Sequence, residues 1–287
     1  MNDSSSGLPS ENPLPLSSKE FEDLIKNIER LYGLGSRLSQ AQSCEYLIHE
    51  ASMAFTKSLM SVLGFLRFIP SSKFFAKERV CIVDLSSASV MGRQVLEDTL
   101  VFLYLSEPNL TNDQKQFRRT VWQFHGYTEA IEAAEFADAE NPDIPSERET
   151  LEKARALVVQ NPLFAGIAEH LRKRIRDGRK NRVVHDNKIL ERRGISTRRY
   201  WLPYKVFSNF THFSAFSHSL ILETNGDWQK SWPEFFMATL SVAAVIAEGI
   251  ETFIETFPES ALLLSNRERR LITNYRNFLR DKNATPK

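Results

Sequence analysis

The sequence predicts an all-α fold, built as a single bundle of about eight to nine helices. Glycine and proline are sparse, with 11 and 12 in 287 residues, so long uninterrupted helices can form. Several apolar runs open with an S-x-x-E capping box, in which two side chains bond the free N–H groups of a helix start. No segment alternates apolar and polar residues over the length of a strand. The hydrophobic fraction of 42% is typical of a protein with a packed core.

The helices of the N-terminal half follow from capping residues and helix breakers. The first is expected to begin at Ser17, which opens a capping box, and to end at Gly33 or Gly35. Prolines follow the second and third helices and cannot continue them. The second, third and fourth helices are expected at about 39–68, 77–106 and 111–139.

The helices of the C-terminal half are assigned in the same way. Ser146 and Glu149 form another capping box, which predicts a helix to about residue 159. Asn161 and Pro162 supply a cap and a first-turn proline for a helix that runs to about Gly178. Polar residues at helical spacing indicate a further helix after residue 204. The last two helices are expected at about 231–257 and 259–280.

Residues 17–282 are predicted to form one helical domain between polar tails at 1–16 and 283–287. The first tail lacks the basic start and the apolar run of a signal peptide. The two cysteines, Cys44 and Cys81, are far apart in sequence, which favours free thiols in a reducing compartment. The most apolar window, 235–250, is short for a membrane span. A cytoplasmic protein that does not enter a membrane is therefore expected.

Sequence motifs for cofactors and metals are missing. There is no P-loop, no G-x-S-x-G and no H-E-x-x-H, and the E-x-x-H pairs of di-iron bundles do not occur. Gly33 and Gly35 begin a G-x-G, but Leu38 replaces the third glycine of a dinucleotide-binding motif. We therefore expect no cofactor and no metal ion.

Charge is distributed unevenly along a chain whose formal net charge is only +1. Residues 129–152 contain nine acidic side chains and one basic one, whereas residues 172–199 contain twelve basic and three acidic ones. The basic segment could bind the phosphates of a nucleic acid. On the alternative interpretation, the two segments face each other or lie in water. The candidate phosphate-binding residues are Arg172, Arg174, Arg176, Lys180 and Arg182.

The same basic segment contains a candidate catalytic pair. Arg179 and His185, in RKNRVVHD, resemble the R-x(4–6)-H motif of HEPN ribonucleases, which are small helical bundles. The resemblance implies that Arg179 stabilises the scissile phosphate and that His185 acts as acid or base, a role that suits imidazole. Lys180 follows the arginine, where those enzymes usually have asparagine. The alternative is an ordinary basic loop. Two other arginines match the spacing, namely Arg118 and Arg119 ahead of His125.

A second candidate site joins two apolar helices. Arg93 and Glu97 are four residues apart in VMGRQVLEDTLVFLYL, and Tyr204, Ser208 and His212 share one stripe of YKVFSNFTHFSAFSHSLIL. Burying such groups is costly unless they meet, so the arginine, glutamate, serine and histidine are expected to form an interior network. This network is either a structural salt bridge that pairs the helices or a pocket. In the pocket, Arg93 would bind an anion and His212 would move a proton, with Glu97 orienting one of them.

These two helices also resemble an uncharacterised all-helical bacterial domain family. Its members carry an R-x-x-x-E helix with a following aliphatic run, matched here by Arg93 and Glu97. A later Tyr…Ser…His helix is matched by Tyr204, Ser208 and His212. The resemblance covers about half of the chain and implies a fold, not an activity.

Two classes of function follow from the sequence. The missing catalytic motifs and the well-patterned core favour a helical-bundle protein that acts by binding or assembly. The basic segment favours, as the alternative, a HEPN-like ribonuclease or a nucleic-acid-binding factor of the toxin or phage-defence type. Whether the chain is an enzyme stays open. The apolar helices that begin near Phe235 and Leu262 are expected to offer a homodimer face.

Overall fold

The chain is all-α, as predicted, in a computed structural model that describes residues 18–41, 49–69, 71–75, 85–137, 144–211 and 232–280. These ranges contain ten α-helices and two 3-10 helices, and no strand. One isolated antiparallel bridge joins Ile195 to Arg280. The predicted number of about eight to nine helices is therefore too low. Several predictions concern residues outside the described ranges, namely both tails, the cap at Ser17, Cys44, Cys81 and His212.

The helices are numbered in chain order. The first five are α1 (Ser18–Gln40), α2 (His49–Arg67), α3 (Leu85–Leu105), α4 (Asn112–Phe136) and α5 (Ile144–Val159). A 3-10 turn at Pro162–Phe164 precedes α6 (Glu169–Arg176), α7 (Asp186–Arg192) and α8 (Thr197–Thr211). The last elements are α9 (Trp232–Thr256), a 3-10 helix at Pro258–Leu263 and α10 (Asn266–Leu279).

Helix α1 continues past the glycines at which it was expected to end. The predicted end at Gly33 or Gly35 is wrong, because α1 runs to Gln40. A Cβ atom on Gly35 would lie 2.6 Å from Cδ2 of Leu59. The missing side chain therefore lets α1 pack closely against α2, a use of glycine that differs from helix termination.

Two segments that were expected to be continuous helices are each divided. Asn161 caps only the short turn at Pro162–Phe164, through a 2.9 Å bond to Leu163 N, and α6 begins separately. Ser265 and Glu268 form a capping box that starts α10, so the predicted helix at 259–280 is interrupted before it. The predicted cap at Ser146 is also wrong, because α5 already begins at Ile144.

The main hydrophobic core is enclosed by α1, α2, α3, α8, α9 and α10, which are called the main bundle. Phenylalanine rings fill its centre. The ring centroid of Phe55 on α2 lies 5.1 Å from that of Phe102 and 4.6 Å from that of Phe253. Helix α9 packs against all five of the other helices. Its apolar sequence is therefore explained by burial on several sides.

One helix of the described residues, Phe235–Thr256, is long and apolar enough to cross a membrane by length and composition. However, 78% of its most apolar window is buried within the protein. This burial agrees with the interpretation of the segment as a core helix.

A smaller hydrophobic cluster holds α4, α5 and α6 together, and these helices are called the α4–α6 unit. Buried ion pairs connect α4 to the main bundle. Arg118 Nη2 lies 2.6 Å from Oε2 of Glu107, which follows α3, and Arg119 pairs with Glu50 of α2. Each of these pairs is almost fully enclosed, so loss of one partner would leave a buried charge.

Candidate functional site

An open cavity of about 940 Å³ lies where the main bundle meets the α4–α6 unit. One wall is formed by α2, α3 and α8, and the other by α4 and the residues around the start of α7. This volume is in the range of small-molecule sites in proteins. Its aromatic lining residues are Trp122, Tyr127, Trp201 and Tyr204.

Glu97 on α3 is the residue of the first wall on which two other side chains converge. Its Oε1 lies 3.0 Å from Arg93 Nε and accepts a 2.9 Å hydrogen bond from the hydroxyl of Tyr204 on α8. The guanidinium of Arg93 also stacks on the Tyr204 ring, 4.7 Å from its centroid. Three of the residues singled out from the sequence are therefore brought together.

The arrangement differs from the predicted interior network in two respects. The side chains of Arg93 and Glu97 are 33% and 41% exposed, so the pair lies at the margin of the cavity and not in the dry interior. Tyr204, not Ser208, makes the described contact with Glu97, and His212 is outside the described residues. Ser208 is half-buried one turn after Tyr204 on α8.

The local charges change the protonation chemistry of this group. Burial raises the pKa of Tyr204, and the hydrogen bond to the Glu97 carboxylate raises it further. For Arg93, burial lowers the pKa, but the adjacent Glu97 raises it more, and the net change is upward. The tyrosine is thus held as a neutral donor and the arginine as a cation at neutral pH.

Asp98, beside Glu97, has a different role. Its Oδ2 accepts a 2.8 Å hydrogen bond from Ser61, and its Oδ1 accepts one of 2.8 Å from Gln94 and lies 3.4 Å from Lys57 Nζ. These partners satisfy the carboxylate, which is nearly fully buried. Asp98 therefore joins α2 to α3 and helps to fix the position of the cavity wall.

The opposite wall presents a histidine and a glutamate from α4. His125 Nδ1 is 2.6 Å from the carbonyl oxygen of Gly178, so this nitrogen carries the proton and donates. Nε2 of the same ring is 3.3 Å from Glu129 Oε1. The histidine thereby connects α4 to the residues that follow α6.

A cationic group closes the end of the cavity near α7. Arg182 Nε and Lys180 Nζ lie 3.2 and 3.6 Å from Oδ1 of Asp186. Even so, Nε and Nη1 of Arg182 are buried without an aligned hydrogen bond to the described residues. Burial lowers the pKa of Lys180, the Arg182 and Arg174 charges lower it further, and Asp186 opposes this change.

The lining of the cavity has more negative than positive charge, with four carboxylates against two cations and the histidine counted as neutral. Both lining cations are close to carboxylates, as described above. Arg93 and Lys180, which lie outside the lining, pair with Glu97 and Asp186 and offset the other two carboxylates. Glu97 and Glu129 are the two that reach solvent most readily, with exposed side-chain fractions of 41% and 67%. The charged lining residues are Glu97, Asp98, Glu129 and Asp186, with Lys57 and Arg182.

The basic residues predicted to bind phosphate are partly neutralised by neighbouring carboxylates. Arg172 pairs with Glu169, and Arg176 Nε lies 3.7 Å from Asp177. Arg174 is exposed on the surface of α6. No ion pair between the described residues joins the acidic segment 129–152 to the basic segment 172–199. The interpretation that the two segments face each other is therefore not supported by a direct charge contact between the described residues.

The arginine–histidine pair of the ribonuclease hypothesis lies outside the cavity. Arg179 and His185 are both exposed, and neither lines the 940 Å³ volume. His185 caps α7, with its Nδ1 accepting a 3.2 Å hydrogen bond from Asn187 N. In the second match to the same spacing, Arg118 and Arg119 are buried in ion pairs, whereas His125 reaches the cavity.

Sequence reasoning did not identify the aromatic part of this site. Trp122 and Trp201 are both half-buried and line the cavity. The Trp201 ring lies 5.4 Å from that of Tyr204, and its Nε1 donates a 2.8 Å bond to Asn187. The only sequence signal for this cluster was the close spacing of Trp201 and Tyr204 on one helix.

No protein-family model, curated protein or solved structure matches the chain. Within the ranges that the structure describes, no three His, Cys, Asp or Glu side chains are grouped as ligands for a metal ion. The resemblance to the bacterial helical family stays a prediction.

Proposed function

We propose that the protein binds a small organic cation, of the guanidinium or primary amine class, in the cavity between α3, α4 and α8. The observation that carries this proposal is the half-exposed carboxylate of Glu97 among aromatic side chains of the cavity. Aromatic faces attract cations, and a carboxylate accepts strong hydrogen bonds from N–H groups that carry positive charge. The sequence predicted a protein that acts by binding or assembly, and this proposal adds the class of ligand.

The contact between Arg93 and Glu97 supports the choice of a guanidinium. This arginine already stacks on the ring of Tyr204 while its Nε lies 3.0 Å from Oε1 of Glu97. Arg93 Nε and the Tyr204 hydroxyl both donate to Oε1 of Glu97. Oε2 accepts no hydrogen bond from the described residues. A planar cation can use this second oxygen and lie against Trp122 or Trp201, which line the same space.

The opposite wall supports a cation with two charged or polar ends. Glu129 lies at the mouth of the cavity and is more exposed than Glu97. The volume of about 940 Å³ exceeds that of a single guanidinium group and leaves room for a linker to a second amine. Agmatine, which has a guanidinium at one end and a primary amine at the other, is therefore a suitable probe.

Isothermal titration calorimetry tests the proposal with the full chain. Agmatine is expected to bind, whereas butylurea, a neutral analogue of similar shape, is expected to bind much more weakly. Glu97→Gln should reduce agmatine affinity roughly tenfold or more, since a hydrogen bond to a charged group contributes about 1.5–3 kcal/mol. Glu22→Gln, on the exposed side of α1, serves as the matched control. Equal binding of the two compounds would contradict the proposal.

Aromatic variants give a second test on α4. Trp122→Ala should weaken agmatine binding, because this ring lines the cavity. Phe136→Ala, on the same helix, removes a ring that is 94% exposed and should leave affinity unchanged. If neither variant affects affinity, the ligand does not use the aromatic wall.

The homodimer expected from the sequence stays a prediction. The structure leaves a smaller apolar surface for it than the sequence suggested. Most of α9 is buried in the main bundle, so it offers little apolar surface to a second copy. Leu262, after α9, is 87% exposed, and Leu263 is also exposed. We propose that the chain forms a homodimer through this 3-10 segment. Light scattering should then show a dimer that Leu262→Ser converts to a monomer, and a monomeric wild-type chain would refute the proposal.

The ribonuclease or nucleic-acid-binding function likewise stays a prediction. It is supported by the exposure of Arg174, Arg179 and the capping residue His185. Incubation of the wild-type chain and His185→Ala with a mixed RNA pool tests it. Cleavage by the wild type alone would support the ribonuclease hypothesis, and no cleavage at any salt concentration would end that hypothesis.

A further inference from the structure

A second cavity, of about 600 Å³, lies between the start of α4, the residues before α6 and the start of α7. Its floor is apolar and belongs largely to the α4–α6 unit. This floor continues the smaller hydrophobic cluster, because Phe117, Ile167 and Leu171 are members of both. The main apolar lining residues are Leu110, Phe117, Leu163, Ile167, Val183 and Val184.

The polar part of this cavity is cationic. Arg118, Lys188 and Arg192 line it together with His170 and His185, and none of its described lining residues is a carboxylate. Lys188 and Arg192 lie on α7 and are largely exposed, at 64% and 49%. The lining of the larger cavity, in contrast, contains more carboxylates than cations.

Two carboxylates outside the lining reduce this positive charge but do not remove it. Glu107 bridges Arg118 and Arg192, with distances of 2.6 and 2.8 Å. Glu191 lies 2.8 Å from Lys188 Nζ. Three cations against two carboxylates leave a formal charge of +1 before either histidine is protonated.

The hydrogen bond made by His185 fixes which of its nitrogens can serve a ligand. Nδ1 accepts from the backbone N–H of Asn187 at 3.2 Å. In the neutral ring, the proton is then on Nε2, which is a donor. His185 lines the cavity and thus adds a neutral hydrogen-bond donor to the cationic side chains.

We propose that this cavity binds a small amphiphilic anion, a carboxylate with an apolar tail. The tail would lie on the apolar floor, where each buried methylene contributes about 0.8 kcal/mol. The carboxylate would lie near Lys188 and Arg192, with the donor of His185 available to it. This site does not depend on the cation site proposed above, because no residue lines both cavities.

The apolar floor distinguishes this ligand from a nucleic acid. A phosphate backbone needs cations but gains nothing from six clustered apolar side chains. An acyl chain needs both parts of the cavity. The combination therefore favours a fatty-acid-like molecule over a polyanion.

Calorimetric titration with decanoate, kept below its micelle concentration, tests the proposal. Decanoate is expected to bind, whereas decanol, which lacks the charge, and propionate, which lacks the long tail, are expected to bind at least tenfold more weakly. Equal binding of decanol would show that the cations are not used. Equal binding of propionate would show that the floor is not used. Either result overturns the proposal, as does no binding of decanoate.

Paired charge variants locate the ligand. Lys188→Gln with Arg192→Gln should weaken decanoate binding roughly tenfold, as the sum of two rim charges of up to about 1 kcal/mol each. Lys153→Gln with Arg155→Gln removes two exposed cations from α5 and should have no effect. Glu97→Gln should also leave decanoate binding unchanged, which separates this site from the cation site. Equal losses in the two double variants would contradict the location.

Discussion

The hydroxyl of Tyr204 on α8 donates a 2.9 Å hydrogen bond to Oε1 of Glu97 on α3. This bond joins residues 107 positions apart in sequence and occupies one oxygen of the carboxylate. The other oxygen stays available for a ligand. The relationship between these two residues is thus the basis of the proposed cation site, and it can be tested for its contribution to stability.

Tyr204→Phe should lower the free energy of unfolding by about 0.5–1.5 kcal/mol, the net contribution of one hydrogen bond. The variant keeps the ring on which Arg93 stacks, so the loss of unfolding free energy measures the contribution of the hydroxyl alone. Urea unfolding followed by circular dichroism measures it. Tyr127→Phe is the matched control, since Tyr127 lines the same cavity but is exposed. Equal stability of the two variants would refute the assigned role.

Replacement of a glycine by alanine should have opposite effects on stability in α3 and in α1. A Cβ on Gly92 of α3 would lie 2.6 Å from Cζ of Phe207 on α8, so Gly92→Ala should destabilise the protein by about 1–3 kcal/mol. A Cβ on Gly33 of α1 would meet no atom within 4 Å. Gly33→Ala should therefore stabilise the protein by about 0.5–1 kcal/mol, through higher helix propensity. Thermal unfolding measures both changes, and a loss of stability in both would contradict the described packing.

The carboxylate of Glu248 on α9 should be among the most sensitive polar groups. It is 1% exposed, and its Oε2 lies 3.0 Å from Arg276 Nε and 2.7 Å from Arg280 Nη2. Glu248→Ala leaves two arginines without this partner and should cost about 3–5 kcal/mol. Glu259→Ala, at an exposed position, provides the control in the same unfolding experiment. A loss below about 1 kcal/mol would be too small for a buried ion pair.

Stability at low pH should depend on Glu268 at the start of α10. Burial raises the pKa of this carboxyl, but hydrogen bonds from Arg37 and Ser265 lower it more, and the net change is downward. Its contribution is therefore complete above the ordinary glutamate pKa of about 4.3 and is lost as the pH falls through the lower folded-state pKa. Because Arg37 is half-exposed, this contribution is about 0.5–1 kcal/mol.

The test is the difference in unfolding free energy between the wild type and Glu268→Gln from pH 7 to pH 3. This difference should be constant near neutrality and should shrink below about pH 4.3. A difference that stays constant down to pH 3 would show that the ion pair does not contribute.

The sequence predicted the helical class and most helix positions because both depend on local patterns. Capping boxes and apolar periodicity act within a few residues, and the predicted helix at 231–257 is close to the observed α9. Gly35 of α1 was misread as a helix end because its role depends on Leu59 of another helix. No local pattern carries that information.

The site was predicted only in part for the same reason. The pair Arg93 and Glu97 was visible as a spacing of four residues, and Tyr204 as a member of a polar stripe. The participation of Trp122 and His125 depends on how α4 lies against the main bundle, which the sequence does not encode locally. The exposure of the pair likewise depends on how α8 packs against α3.

Fluorine NMR of the 5-fluorotryptophan-labelled chain tests the central claim most directly. Trp122→Phe and Trp201→Phe assign the resonances of the two rings that line the 940 Å³ cavity. Agmatine should shift both resonances with one dissociation constant, and butylurea should shift neither at the same concentration. If both resonances stay unmoved while agmatine binds by calorimetry, the cation binds elsewhere and the proposed site is wrong.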